Sequence, residues 1–249
     1  MPIFENGSTQ IYYEESGSGY PMLVLPGGGL NATVENLGYA GSFNPLKEFS
    51  DTHRVVALDI RNANGGKSTG PLEPEKGWDQ FTDDQLALAD HLGFKKFVVT
   101  GFCIGGPLIW NLIKRAPNRI VAAILGHPSG FRPEKPDLFF QNNINGWAPK
   151  FLETRDDITM EMVERFLTKM YRSNPDFVFT VDRDFVRNCN IPLLIMPDDV
   201  AAHPFACAME TARLSPSAEV SIYPWREPSG HMEIALRHAR SFLKAHTPA

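Results

Sequence analysis

The sequence predicts an α/β fold: a mostly parallel central sheet with helices on both faces, an antiparallel start and a helical insertion. Three observations predict it. Residues 22–26, 54–59, 96–101 and 121–126 carry the continuously apolar runs Met-Leu-Val-Leu, Val-Val-Ala-Leu, Phe-Val-Val-Thr and Ala-Ala-Ile-Leu. Such runs suit strands buried on both faces of a parallel sheet. Between them lie stretches with helical spacing of apolar residues. Residues 79–92 carry Phe81, Leu86, Leu88, Ala89 and Leu92, and residues 105–115 carry Leu108, Ile109, Leu112 and Ile113. The third observation is the turn Glu5-Asn6-Gly7 ahead of residues 9–15, which reads as an N-terminal hairpin.

The later elements follow from the same patterns. Residues 192–196 and 219–223 read as strands, and residues 233–244 as the terminal helix. From about 128 to 183 no buried strand is expected. That stretch has a proline-rich entry, the aromatics Phe139, Phe140, Trp147 and Phe151, and one amphipathic helix at 159–170. The expected organisation is a single domain, 1–249, with core segments 1–127 and 184–249 and a helical cap over about 128–183.

Composition narrows the function classes. The 249 residues contain 24 Lys and Arg against 29 Asp and Glu, a formal charge of −5. Nucleic acid is therefore not the expected partner, because phosphate binding needs a concentrated basic face. No apolar run approaches the roughly 20 residues of a membrane span. Cys103, Cys189 and Cys207 form no CxxC pair, which fits a reducing compartment and a cytoplasmic location. The polar first twenty residues, with Glu5, Glu14 and Glu15, do not read as a signal peptide. The expected partner is a small-molecule substrate, with no cofactor or metal; a homodimer is left open.

Two glycine-rich turns compete for attention. Gly27-Gly28-Gly29-Leu30-Asn31-Ala32 follows a strand with the spacing G-x-G-x-x-A, which can cradle a dinucleotide pyrophosphate. Asp59 and Arg61 would then address the ribose or a 2′-phosphate. The context argues against this reading, since Gly38, Gly41 and Pro45 interrupt the helix that such a site requires. An NADP-binding oxidoreductase thus remains a remote alternative.

The second turn, Gly101-Phe102-Cys103-Ile104-Gly105-Gly106, joins a strand to a helix as G-x-C-x-G-G. A sharp turn of this kind puts its central residue at the start of a helix, where backbone N–H groups favour negative charge. A cysteine there is activated as a thiolate. Cys189 and Cys207 lack this setting.

A nucleophile needs a base, and the base needs an orienting acid. Among the seven histidines, His231 in Ser229-Gly230-His231 lies in a loop after the last strand and is the expected base. His127 ends a strand and could line the site, while His203, ahead of Pro204, reads as locally structural. The acid is expected beyond residue 196, in Pro197-Asp198-Asp199, with Asp199 preferred and Asp198 as the alternative.

With these residues in view, the chain resembles the α/β-hydrolase superfamily over nearly its whole length. The matching features are the hairpin, Leu25-Pro26-Gly27-Gly28-Gly29, Asp59-Ile60-Arg61 followed by Gly65-Gly66-Lys67-Ser68, the Cys103 elbow, the Asp turn near 199, and Gly230-His231. Nucleophile, acid and histidine fall in that family's order. The family usually has serine in the elbow. The cysteine is similar to the dienelactone-hydrolase branch, with its Cys-Asp-His triad. Pro26 stands where the family often has histidine, and Val200 where its acid spacing would place the carboxylate.

The resemblance implies nucleophilic acyl transfer by Cys103, His231 and Asp199. Its oxyanion hole would come from the N–H groups of Ile104 and of Gly28 or Gly29. The expected substrate is a small hydrophobic or cyclic ester, lactone or thioester, with His127, Phe139, Phe140 and Trp147 lining the pocket. A lyase, acyltransferase or ligand-binding member of the fold is the alternative class.

Overall fold

Alternate residues of the central strands face two separate cores. In strand β3 (Tyr20–Leu25), Met22 and Val24 belong to one and Leu23 and Leu25 to the other. This two-sided burial is what the apolar runs require. The structure, a computed structural model, describes residues 2–38 and 41–248.

The remaining strands are β1 (Ile3–Asn6), β2 (Thr9–Ser16), β4 (His53–Leu58), β5 (Phe97–Phe102), β6 (Ile120–Gly126), β7 (Leu193–Met196) and β8 (Ala218–Val220). They form one eight-stranded sheet in the order β1-β2-β4-β3-β5-β6-β7-β8. The pairs β1–β2 and β2–β4 are antiparallel, and the others are parallel. The opening hairpin closes through Gly7, at φ 60°, with Asn6 opposite Thr9. The last strand is shorter than expected, ending at Val220.

Helices α2 (Trp78–His91) and α3 (Gly105–Arg115) cover one face, burying Phe81, Leu88, Leu108, Ile109 and Leu112. Helices α1 (Pro45–Glu48) and α9 (His231–His246) cover the other, through Leu46, Ala235, Ala239, Phe242 and Leu243. Between β6 and β7 run α4 (Leu138–Gly146), α5 (Ala148–Glu153), α6 (Met160–Tyr171) and α7 (Arg183–Arg187), with no strand among the described residues there. Helix α8 (Phe205–Leu214) joins β7 to β8.

The residues once open to a dinucleotide reading have structural work. The first glycine turn leads into a short 3-10 turn, Gly29–Asn31, rather than an α-helix. The buried Asp59 carboxylate accepts from the N–H groups of Val34 and Lys67, each at 2.7 Å. Arg61 donates to Asp84, with Nε–Oδ2 at 2.8 Å, and to Glu73. Neither side chain is free to read a ribose, and the NADP alternative loses its ligands.

Candidate active site

Cys103 stands at the end of β5 with φ 53°, a left-handed conformation that costs a non-glycine residue about 1–3 kcal/mol. Its surroundings hold it there. The Cys103 N–H donates to the Gly126 carbonyl, and its own carbonyl accepts from Gly106 and Ser129. Glycines at the flanks are steric requirements. A Cβ on Gly101 would meet the Gly105 backbone at 3.0 Å, and one on Gly106 would meet Pro128 Cβ at 2.6 Å. The elbow therefore forms as the G-x-C-x-G-G pattern predicts.

The sulfur opens onto a cavity of about 300 Å³ that is also lined by Gly28, Asn36, His127 and His203. Ser129 Oγ lies 3.4 Å from Cys103 Sγ. The imidazole that shares this cavity with the sulfur, besides His127, is that of His203. Its Nδ1–H donates to Asp198 Oδ2 at 3.3 Å. Its Nε2 is buried without a hydrogen-bond partner among the described residues, and its ring lines the same cavity as Cys103, close enough for each group to shift the titration of the other. Asp198 is held in turn by the Arg226 guanidinium.

The backbone explains this aim. Val200 and His203 exchange both backbone hydrogen bonds, at 3.3 and 3.0 Å, which closes the loop into a tight hairpin after β7. The His127 N–H donates to the Met196 carbonyl at 2.7 Å, tying the end of β6 to the start of that loop. His203 is thereby carried to the top of β5.

The electrostatics favour an ion pair. Burial alone would push the Cys103 thiol up. The hydrogen bond and charge of His203, the Ser129 hydroxyl and the Gly28 N–H outweigh burial and bring it down to about 6. Burial works against the His203 cation as well, but Cys103 and Asp198 raise its pKa above the ordinary value. The Asp198 carboxyl, which burial would raise, is lowered mainly by Arg226. The other cysteines are unlike this one. Burial raises Cys189, and it pushes Cys207 up to about 12.

Two expected triad members fall elsewhere. His231 is the first residue of α9, at the surface, where its Nδ1–H donates to the Pro224 carbonyl at 2.5 Å. It does not line the cavity. Asp199 is more than half exposed and pairs with Arg132 at 3.2 Å. The alternative, Asp198, is the aspartate that pairs with the cavity histidine His203.

The expected oxyanion donors remain grouped. The Gly28 N–H faces the sulfur, Gly29 begins the adjoining 3-10 turn, and Ile104 precedes α3, where helix N–H groups lack intrahelical partners. A side chain at Gly28, φ 126°, would meet Asn36 Nδ2 at 2.7 Å. Of the expected pocket residues, His127 lines the cavity, whereas Phe139, Phe140 and Trp147 do not. Phe139 stacks on Tyr171, Phe140 lies under the Arg172 guanidinium, and Trp147 stacks on Phe151 and donates to the Asn62 carbonyl. Their apolar faces are spent on packing the helices between β6 and β7.

His203 and Ser129 beside the sulfur, and Arg226 behind Asp198, were not among the expected site residues. The spacing Asp198 to His203, across a turn that follows a buried strand, was the available signal for the first. Among the described residues no group of three or more His, Cys, Asp or Glu side chains is arranged to hold a metal ion. No described helix is long and apolar enough to cross a membrane.

Comparison with known proteins agrees with the fold. A 2-hydroxymuconate semialdehyde hydrolase of Pseudomonas sp. (strain CF600) is 25% identical over 141 residues, 57% of this chain and 47% of that protein. Epoxide hydrolase 4 of Mus musculus is 36% identical over 90 residues, 34% of this chain and 24% of that protein. The chain spans less than half the length of these curated relatives. An enol-lactonase structure from Burkholderia xenovorans LB400 superposes with a TM-score of 0.66 at 19% identity, covering 98% of this chain and all of that one. The family model described as alpha/beta hydrolase fold matches residues 20–190. With the eight-stranded sheet and the strand–turn–helix elbow at Cys103, that match places the chain in the alpha/beta hydrolase fold family.

Proposed function

We propose that the protein is a hydrolase that cleaves a small activated carbonyl compound, an ester, lactone or thioester, with Cys103 as nucleophile. His203 is its base and Asp198 the carboxylate that orients the base. One observation carries the reading. The Cys103 sulfur, at the head of a helix, faces a histidine whose far nitrogen is held by a buried, ion-paired carboxylate.

The thiolate attacks the carbonyl carbon and forms a C–S bond. The carbonyl oxygen takes the negative charge, toward the N–H groups of Gly28 and Ile104, with Gly29 adjoining. As the intermediate collapses, the bond to the leaving group breaks and the His203 imidazolium gives that group its proton. Water then adds to the thioester and loses a proton to His203. The C–S bond breaks, the acid departs, and the thiolate–imidazolium pair is restored. Asp198 keeps its negative charge throughout and fixes the imidazole so that Nε2 faces the sulfur.

A thiolate leaves more readily than an alkoxide, so activated carbonyls suit this nucleophile better than amides. The cavity of about 300 Å³ favours a small molecule. Hydrolase names among the similar proteins, enol-lactonase included, support the same class. The test is a panel of small chromogenic esters, thioesters and lactones, with intact-mass detection of acylated protein. Turnover with an adduct on Cys103 is expected, and Cys103→Ala loses both. Unchanged turnover in that variant overturns the proposal.

A further inference from the structure

His127 is an unspent polar group in the cavity of the nucleophile. It lines the same space as Cys103 and His203, yet is only 7% exposed. Its ring stacks on Trp225, with centroids 5.7 Å apart at 11°, and lies 4.8 Å from the ring of His203. Its Nδ1 is buried without a partner among the described residues, which leaves Nε2 as the nitrogen a bound molecule can reach. Its backbone is held at φ 34° and anchored to Met196, and its ring is flanked by those of Trp225 and His203.

The ring is also neutral. Burial first, then the charges of His203 and Arg226, push its pKa down to about 3. A neutral imidazole offers a donor or an acceptor, not an ion pair. The reachable Nε2, fixed in the cavity with no partner among the described residues, gains a hydrogen bond from a ligand that places a matching polar group there. The position says which part of the ligand. His203 delivers its proton to the departing group, so whatever occupies the space beside its ring is the leaving half of the substrate.

We infer that His127 forms a leaving-group subsite, which selects substrates whose departing alcohol or thiol carries an uncharged hydrogen-bonding group, such as an amide, near the scissile bond. The inference rests on the acyl-transfer reading above and adds the specificity of its second half.

Two acetyl thioesters of matched shape test it: S-acetyl-N-acetylcysteamine, with an amide in the departing thiol, and S-isohexyl thioacetate, with none. Acylation of Cys103 is followed by quenched intact-mass measurement, and each rate is divided by that of the same thioester with free cysteine. The wild type is expected to favour the amide-bearing thioester about tenfold. His127→Leu brings the ratio to near one. His127→Asn, which tolerates a left-handed backbone and keeps a donor and an acceptor, retains part of it.

Equal corrected rates in the wild type overturn the subsite and leave the hydrolase reading standing. A ratio unchanged in His127→Leu does the same. If neither thioester acylates Cys103, the hydrolase reading fails and the subsite with it. Should His127→Leu not fold, the wild-type ratio decides.

Discussion

Asp198 and His203 lie five residues apart on one loop, joined by the hydrogen bond from His203 Nδ1 to Asp198 Oδ2 at 3.3 Å. Acid and base of the candidate site thus both come from the segment between β7 and α8, closed by the Val200–His203 hairpin. The order of the two aspartates in the chain then decides their roles, because only Asp198 turns inward while Asp199 pairs with Arg132.

Asp198→Asn is expected to lower kcat/KM by about 10²–10⁴-fold, since the amide no longer fixes the tautomer or stabilises the imidazolium of His203. Asp199→Asn should stay within a few-fold of wild type, having lost a surface ion pair. Steady-state kinetics on any turned-over ester checks both, and a larger loss from Asp199→Asn counts against Asp198.

Arg226 acts through Asp198 as a positioning residue. Its charge is the main influence that lowers the Asp198 carboxyl against burial. A carboxyl held low stays ionised as pH falls. Without Arg226 it protonates at higher pH. Arg226→Gln should therefore move the acidic limb of the kcat/KM profile upward, and Arg226→Lys should restore most of it. An unmoved limb in Arg226→Gln would remove Arg226 from the account.

Arg61 and Asp84 form an ion pair in which both side chains are 5% exposed. Arg61→Met leaves the Asp84 carboxylate buried and unpaired, at an expected cost of about 3–5 kcal/mol. Arg54→Met, breaking the part-exposed pair with Glu15, should cost about 0–1 kcal/mol. Urea unfolding monitored by circular dichroism separates the two. Similar midpoints would mean that Arg61 is not a structural anchor.

Much of this architecture was legible from pattern. Strands buried on both faces need unbroken apolar runs, and the runs at Met22, Val55, Val98 and Ala122 marked β3 to β6. The elbow was legible because its glycines are steric necessities. Gly101 and Gly106 have no room for a Cβ. The proposed base was not legible, because a loop histidine is aimed by long-range backbone contacts that no local pattern records. Gly230-His231 has the family's chain position, but its Nδ1 bonds the Pro224 carbonyl and the residue does not line the cavity of Cys103. His203 gains its aim from the His127–Met196 hydrogen bond and the Val200 turn, which exist only after β6 and β7 pair. Aromatic residues at 139, 140 and 147 carry the same ambiguity. A ring at helical spacing serves a wall or a core equally well, and here Trp147 is 2% exposed in the packing.

The most direct test of the central claim is the pH dependence of Cys103 alkylation by iodoacetamide, read site by site by mass spectrometry in wild type, His203→Ala and His231→Ala. Thiolate forms as pH rises through the thiol pKa, so the wild-type rate should be half-maximal at about 6, ahead of Cys189 and Cys207. Loss of the His203 partner should shift that midpoint upward, whereas His231→Ala should leave it in place. A midpoint that moves with His231 and ignores His203 would contradict the account.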